Sequence, residues 1–173
     1  DVYGGFKWIV DGLADMCSDL DVPVVGGNVS LYNDSPSGPI PPTPTLAMVG
    51  STPEYDAPRL DASAEGELLL VGDRVLADAD ASARLGGSEY LRQQGGSDRF
   101  PAVPGDASAF VQLLAAVARE DHVRATHDVS DGGLAVALAE MVNEDAGVVA
   151  QVPEQGGLSD VGEQVAWLFN EAT

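Results

Sequence analysis

The chain has 173 residues, 45% of them hydrophobic, which is enough for the core of one ordinary domain with part of a neighbour. Its 8 Lys and Arg side chains stand against 28 Asp and Glu, and the formal net charge of -20 argues against direct binding to nucleic acid. The acids are scattered, as on a surface adapted to high salt, and are not clustered for one basic partner, so we expect a halophilic source.

Two further features concern the location of the protein. No apolar run reaches 18 residues, and the chain lacks the basic and apolar start of a secretory leader. The single cysteine, Cys17, excludes an internal disulfide framework. We therefore expect a soluble, cytoplasmic protein without a membrane partner.

The first 45 residues have the element order of an α/β protein. Apolar residues recur every three or four positions over residues 6–20, which predicts an amphipathic helix. Residues 22–25 predict a short buried strand, followed by a turn at Gly26 and Gly27. Residues 33–45 contain five prolines, which indicates a linker or a domain crossover.

The rest of the chain alternates between the two kinds of element. Strands are predicted at residues 46–50, 67–72, 123–126 and 148–152, and helices at residues 81–92, 106–120 and 134–143. The first of these helices is expected to end at Gly95 and Gly96. The alternation predicts an α/β (α+β) fold in which helices cover a mixed sheet.

The loop at residues 26–30 is the first candidate site. Glycines after a buried strand let backbone N–H groups approach a phosphate, since no Cβ intervenes. Asn28 offers a carbonyl oxygen to a hard cation, and Ser30 offers a hydroxyl to a phosphate or substrate oxygen. An ordinary hairpin turn explains the same three-residue pattern of glycines and asparagine, so spacing alone leaves both interpretations open.

The second candidate is the Gly-rich turn at residues 128–133. Asp131 or Ser130 is placed to cap the helix that follows, with Gly132 and Gly133 in its first turn. A helix N-terminus also binds phosphate, but carboxylates beside it require Mg²⁺ between the charges. Asp128 and Asp131 are therefore either metal ligands or structural caps.

The sequence gives little support for a nucleophilic catalytic site or a zinc site. His127 invites a catalytic role because imidazole titrates near neutral pH, but we interpret a lone histidine at a strand end as structural. The sequence shows no Ser-His-Asp or Cys-His arrangement, and one Cys with two His does not predict a zinc site.

Four segments, in this order along the chain, resemble one family. They are Val-Val-Gly-Gly-Asn-Val-Ser-Leu-Tyr-Asn at 24–33, Pro-Pro-Thr-Pro-Thr at 41–45, Leu-Gly-Gly-Ser-Glu-Tyr-Leu at 85–91 and His-Asp-Val-Ser-Asp-Gly-Gly-Leu at 127–134. Together they resemble the large subunit of phosphoribosylformylglycinamidine synthase, in the superfamily of aminoimidazole ribonucleotide synthetase. Asn170 and Glu171 resemble the start of a Glu-Ser-x-x-Arg-like segment of that family.

The resemblance implies a domain arrangement. Residues 1–40 would be the C-terminal end of the second ATP-binding-type domain. Residues 41–173 would be the second C-terminal-type α/β domain, truncated at its C-terminal end. The chain would then be a fragment that holds no catalytic residue of its own and is inactive alone.

The resemblance also implies a reaction and its site residues. An ATP-dependent C–N ligase would convert formylglycinamide ribonucleotide, ammonia from glutamine and ATP into formylglycinamidine ribonucleotide, ADP and phosphate, in purine biosynthesis. Gly27, with Gly26, would contact ATP, Asn28 would bind Mg²⁺, and Ser30 would contact substrate. The second candidate loop is similar to a loop that faces the same cleft in related enzymes. In this chain its residues are Asp128, Ser130, Asp131, Gly132 and Gly133.

Partners and alternatives follow from the same resemblance. Since no glutaminase nucleophile is present, a glutaminase subunit and a small bridging subunit would supply the ammonia. One alternative is a non-catalytic scaffold or nucleotide-binding module of the same enzyme. Another is a different member of the superfamily, such as aminoimidazole ribonucleotide synthetase.

Overall fold

The computed structural model describes residues 2–30, 34–53, 56–62, 66–72, 85–100, 106–151 and 161–171. The elements along these residues are α1 (Val2–Asp19), β1 (Asp34–Ser35), β2 (Gly38–Pro39), α2 (Glu89–Gln94), α3 (Ala107–Val117), α4 (Gly133–Glu140) and α5 (Val161–Phe169). The backbone divides into two compact units, Asp1–Tyr55 with Asp106–Ala109, and Asp56–Gly105 with Phe110–Thr173.

The first unit is built on α1, which confirms the helix predicted from apolar spacing. The helix begins at Val2 and therefore four residues before the predicted start. It ends where Asp21 takes a φ of 53°, and the N–H of Val22 donates to the carbonyl of Cys17 at 2.9 Å. This left-handed ending satisfies a carbonyl that the last turn leaves without an intrahelical donor.

The remaining regular structure of this unit is a small hairpin. Strands β1 and β2 are antiparallel, with Asp34 opposite Pro39 and Ser35 opposite Gly38. Gly38 has a φ of 108°, a backbone conformation that residues with a Cβ rarely adopt. The hairpin lies within the Pro-rich stretch, where the sequence predicted no regular element.

The second unit has its described core where α4 and α5 pack together. The buried apolar side chains are Leu85, Leu134, Ala137, Met141 and Ala166. The ring of Tyr90, on α2, stacks on Phe169 at a centroid distance of 5.0 Å. These contacts gather α2, α4 and α5 around the second candidate loop.

The strands predicted at residues 22–25, 46–50 and 67–72 are not formed. Their backbones are irregular, and exposed side chains include Val25 at 95%, Val49 at 100% and Leu69 at 82%. An apolar pattern predicts that a segment is buried, but a strand also needs a neighbouring strand to pair with its backbone N–H and C=O groups. Among the described residues, no neighbouring strand pairs with these segments.

The two later strand predictions fare similarly. Over residues 123–126 the described residues form one parallel bridge, between Arg59 and Ala125. Residues 148–151 are irregular, with Val149 91% exposed, and residue 152 lies outside the described residues. Within the part of the chain that the structure describes, neither predicted strand has a ladder of hydrogen bonds that would extend it.

The helix predictions are closer to the structure. Residues 106–120 and 134–143 were predicted, and the helices run over Ala107–Val117 and Gly133–Glu140. The helix predicted at residues 81–92 is wrong over residues 85–88, and residues 81–84 lie outside the described part. Helix α2 ends at Gln94, and its C-cap is Gly95, one of the two glycines expected to end it. Helix α5 was not predicted. Among the helices of the described residues, none is both long and apolar enough to cross a bilayer.

Candidate functional site

The loop carrying Gly26, Gly27, Asn28 and Ser30 is an exposed, irregular segment of the first unit. A Cβ added at Gly26 or Gly27 would meet no atom within 4 Å, so no packing contact of the protein requires either glycine. The absence of a Cβ there leaves both backbone N–H groups open to a close ligand. Packing within the described residues therefore does not explain why glycine stands at these two positions.

The turn at residues 128–133 is organised differently, because its glycines are packed. Gly132 has a φ of 86° and Gly133 a φ of 67°. A Cβ at Gly133 would lie 2.7 Å from the carbonyl oxygen of Asn170, and one at Gly132 would lie 2.3 Å from Val136 Cγ2. Both positions therefore need glycine for the backbone path and for close packing.

The expected cap of the following helix is wrong. The N-cap of α4 is Gly132, with no hydrogen bond from a side chain of the turn. Ser130 contributes its backbone carbonyl, which accepts from the N–H of Gly133 at 2.9 Å, and the Asp131 side chain is exposed. Asp131 does not cap α4, because the left-handed backbone makes Gly132 the N-cap residue. The N–H of Gly132 itself donates to a carboxylate that is distant in sequence.

That carboxylate is Glu171. Its Oε1 accepts the N–H of Gly132 at 2.8 Å and the N–H of Glu89 at 2.8 Å. Sequence reasoning noted Glu171 only as part of a family-like segment and missed this contact. The signal was present in that resemblance, but the partners lie 82 and 39 positions away and cannot be found from local spacing.

A tight turn at residues 85–88 leads into α2. Ser88, 4% exposed, caps the helix by accepting the N–H of Leu91 at 3.3 Å. Gly86 is held against Arg99, whose carbonyl oxygen would be 2.4 Å from an added Cβ. On the helix, the hydrogen bonds from Arg92 hold the pKa of Glu89 below its usual range, which keeps this carboxyl ionised.

Helices α2, α4 and α5 enclose a small cleft of about 230 Å³. Its lining residues are Glu89, Tyr90, Gln93, Gln94, Gly132, Val136 and Phe169. Glu89 and Gly132, whose N–H groups donate to Glu171, thus both line the cleft. Through Gly132, the second candidate loop contributes backbone to the cleft wall.

His127 is largely buried, with 13% of its side chain exposed. Its Nδ1 lies 2.7 Å from the backbone oxygen of Asp128, and its Nε2 lies 3.6 Å from a carboxylate oxygen of Glu140. The ring thus lies between the start of the turn and the end of α4. This placement is compatible with the structural interpretation of this histidine.

The carboxylates of the second loop point to solvent. The side chain of Asp128 is 77% exposed, and Asp131 and Ser130 are also exposed. Within the described ranges, no group of three or more His, Cys, Asp or Glu side chains is arranged to hold a metal ion.

Two family profiles match the chain. The profile of the AIR synthase related protein, C-terminal domain, matches residues 65–169, and that of the N-terminal domain matches residues 2–52. The chain belongs to the AIR synthase related protein family. This membership confirms the α/β fold class predicted from the sequence. The predicted domain boundary between residues 40 and 41 stays a prediction.

Three similar relatives all carry the same enzyme name. The chain is 63% identical over 171 residues to the phosphoribosylformylglycinamidine synthase subunit PurL of Haloarcula marismortui, covering 99% of this chain and 23% of the relative. It is 65% identical over 172 residues to the PurL subunit of Natronomonas pharaonis, covering 99% of this chain and 22% of that relative. The PurL subunit of Methanosarcina mazei is 32% identical over 99% of this chain and 23% of its own length.

These matches confirm the resemblance stated from the four sequence segments. The chain spans about a quarter of the length of the curated relatives that it matches. The predicted halophilic source fits relatives from halophilic archaea. No solved structure gives a significant match to the chain.

Proposed function

We propose that this chain is part of an ATP-dependent synthetase that converts formylglycinamide ribonucleotide, ammonia and ATP into formylglycinamidine ribonucleotide, ADP and phosphate. The observation that carries the proposal is identity of 63% and 65%, over 99% of the chain, to two subunits named for that enzyme. Because the chain spans 23% of such a subunit, it would hold at most part of the site. The 173 residues alone are expected to be inactive.

The loop at residues 26–30 is proposed as one wall of the nucleotide site. Gly26 and Gly27 present N–H groups on an open backbone, which suits contact with the phosphates of ATP. Asn28 offers an exposed amide oxygen to Mg²⁺, and phosphate oxygens supply further ligands in sites of this kind. Ser30 offers a hydroxyl to the substrate. The chemistry and exposure of these residues fit the nucleotide and the metal.

When bound, ATP with Mg²⁺ would supply the phosphoryl group that activates the amide oxygen of the substrate for displacement by ammonia. The loop residues have a positioning and electrostatic role. Backbone N–H groups at Gly26 and Gly27 would orient phosphate oxygens and offset their charge, and Ser30 would orient the substrate. No residue of the chain is proposed as a nucleophile or general base.

The second loop is proposed to contribute side chains and not bare N–H groups. The N–H groups of Gly132 and Gly133 already donate to Glu171 and Ser130. Direct phosphate binding at these two groups would have to displace internal acceptors. Exposed Asp128 and Asp131 are therefore the candidate contacts, acting through a metal ion, with a purely structural turn as the alternative.

The partners are proposed from the same relationship. A separate glutaminase subunit and a small bridging subunit would supply ammonia, and the complex would work in the cytoplasm.

The test is an assay of the full-length protein with ATP, Mg²⁺ and ammonium chloride in high salt. Formylglycinamide ribonucleotide should be converted to the amidine, whereas formylglycinamidine ribonucleotide, the substrate expected of an aminoimidazole ribonucleotide synthetase, should not turn over. The reverse preference would replace the proposal with that alternative. Amidine formation by the purified 173-residue chain would contradict its expected inactivity.

A further inference from the structure

One carboxylate oxygen joins two elements that are distant in sequence. Oε1 of Glu171 accepts from the N–H of Glu89, at the start of α2, and from the N–H of Gly132, the N-cap of α4. Groups at these positions have no acceptor within their own helix. Glu171 thus satisfies a donor at the beginning of each of two helices and holds both at 2.8 Å.

The geometry around this oxygen constrains the walls of the cleft. Glu89 and Gly132 both line it, and Phe169, two residues before Glu171, lines it as well. The turn itself is held against α5, since Gly133 lies so close to Asn170 that a Cβ does not fit. Residues 169–171 therefore hold the turn in two ways. Phe169 and Asn170 pack against Gly133, and Glu171 accepts a hydrogen bond from Gly132.

We propose that Glu171 is a positioning residue that sets the place of the turn at residues 128–133 relative to the start of α2. The turn presents the exposed carboxylates Asp128 and Asp131, so their position follows from the contact at Gly132. The consequence for catalysis rests on the proposed synthetase function. The contact itself is independent of that function.

The length of the side chain at position 171 distinguishes a positioning role from a role that depends on its negative charge. Asp at position 171 keeps the negative charge but is one methylene shorter, so it cannot hold both N–H groups at the present backbone positions. Gln is neutral, has the length of Glu and keeps a carbonyl oxygen as acceptor. A positioning residue is rescued by Gln, whereas a metal ligand or electrostatic group is rescued by Asp.

The experiment uses the full-length protein with Glu171→Ala, Glu171→Gln and Glu171→Asp, and the exposed Glu144→Ala as control. Hydrogen exchange read by mass spectrometry reports on the peptides that contain Glu89 and Gly132. We expect exchange about tenfold faster or more in the Ala and Asp variants, and close to wild type in the Gln variant and the control.

The same proteins are assayed for kcat and KM at saturating Mg²⁺. The Ala and Asp variants should lose about tenfold or more in kcat/KM through a raised KM, with recovery in the Gln variant. Rescue by Asp with failure of Gln, or unchanged exchange in all three variants, overturns the positioning role. Wild-type protein that lacks synthetase activity while the exchange pattern holds overturns the proposed function and leaves the contact standing.

Discussion

Gly133 is the residue where the backbone of the second loop has the least freedom. Its φ of 67° lies in the left-handed region, and an added Cβ would lie 2.7 Å from the carbonyl oxygen of Asn170 and 2.8 Å from the carbonyl carbon of Phe169. Both neighbours are backbone atoms and cannot rotate away as a side chain does. Any larger residue must therefore displace α5 or the turn.

Gly133→Ala is expected to lower the free energy of unfolding by about 2–4 kcal/mol, the sum of left-handed strain and overpacking. The midpoint of urea unfolding, with a probe in the second unit, measures this loss. Gly147→Ala is the matched control, because a Cβ there meets no atom within 4 Å. Equal stability of the two variants would show that the turn does not depend on the close approach at Gly133.

Among the elements of the second unit, an ionic network links residues 59–62 to the chain after α4. The guanidinium of Arg59 donates to Asp61 at 2.9 and 2.7 Å, and Nδ2 of Asn143 donates to Asp61 at 2.6 Å. The same amide donates to the carbonyl of Ala62, whose N–H donates to Met141. These bonds fasten an irregular segment that, among the described residues, forms one isolated β-bridge.

The network makes a prediction about acid stability. The hydrogen bonds from Arg59 and then Asn143 lower the pKa of Asp61 to about 2. Since the folded pKa lies below the unfolded value of about 3.9, the stabilisation is present above that value and is lost as pH falls towards 2. Asp61→Asn should lower the thermal midpoint near neutral pH, and its difference from wild type should shrink between about pH 4 and pH 2.

The exposed Asp121→Asn serves as the control for a general change of charge. Its effect on the thermal midpoint should not follow the window set by Asp61. A difference between Asp61→Asn and wild type that stays constant from pH 7 to pH 2 would contradict the role of the network.

The elements also show what the sequence could predict. The periodicity of α1 was enough to place it, because a helix satisfies its hydrogen bonds within one segment. The strand at residues 22–25 was predicted from an equally apolar run, but the pairing of a strand depends on another segment that the run itself does not specify. Helix α5 carries Val161, Val165 and Leu168 at helical spacing, a signal that could have been found.

The candidate site divides in the same way. The order of Gly26, Gly27, Asn28 and Ser30 after an apolar run fits a site and an ordinary turn equally, and the family resemblance supplies their proposed roles. Their exposure is compatible with those roles, which stay predictions. The cap predicted on the second loop is wrong because local chemistry favours Asp131, whereas the N-cap of α4 is Gly132. The N–H of Gly132 donates to Glu171, 39 positions farther along the chain. Contacts at such separation follow from the fold and not from a motif.

For the molecule as a whole, charge sets the conditions under which any measurement is meaningful. The net charge of -20 produces self-repulsion that falls as salt shortens the Debye length from about 10 Å at 0.1 M to about 3 Å at 1 M. Measurements on this protein therefore belong in high salt, which matches the relatives from halophilic archaea.

The loop at residues 26–30 is proposed to form one wall of an ATP and Mg²⁺ site. The most direct test is the Mg²⁺ dependence of turnover in the full-length protein carrying Asn28→Ala or Asn28→Asp. Val29→Ala, a neighbour whose side chain is 67% exposed, controls for a general disturbance of the loop.

Asn28→Ala should raise the Mg²⁺ concentration for half-maximal activity by about tenfold, the loss expected for about 1.4 kcal/mol of binding free energy. Asn28→Asp should keep or lower that concentration, because a carboxylate is a stronger ligand for a hard cation than an amide oxygen. Val29→Ala should leave it unchanged. An unchanged Mg²⁺ requirement in both Asn28 variants would contradict the claim and leave the loop as an ordinary turn.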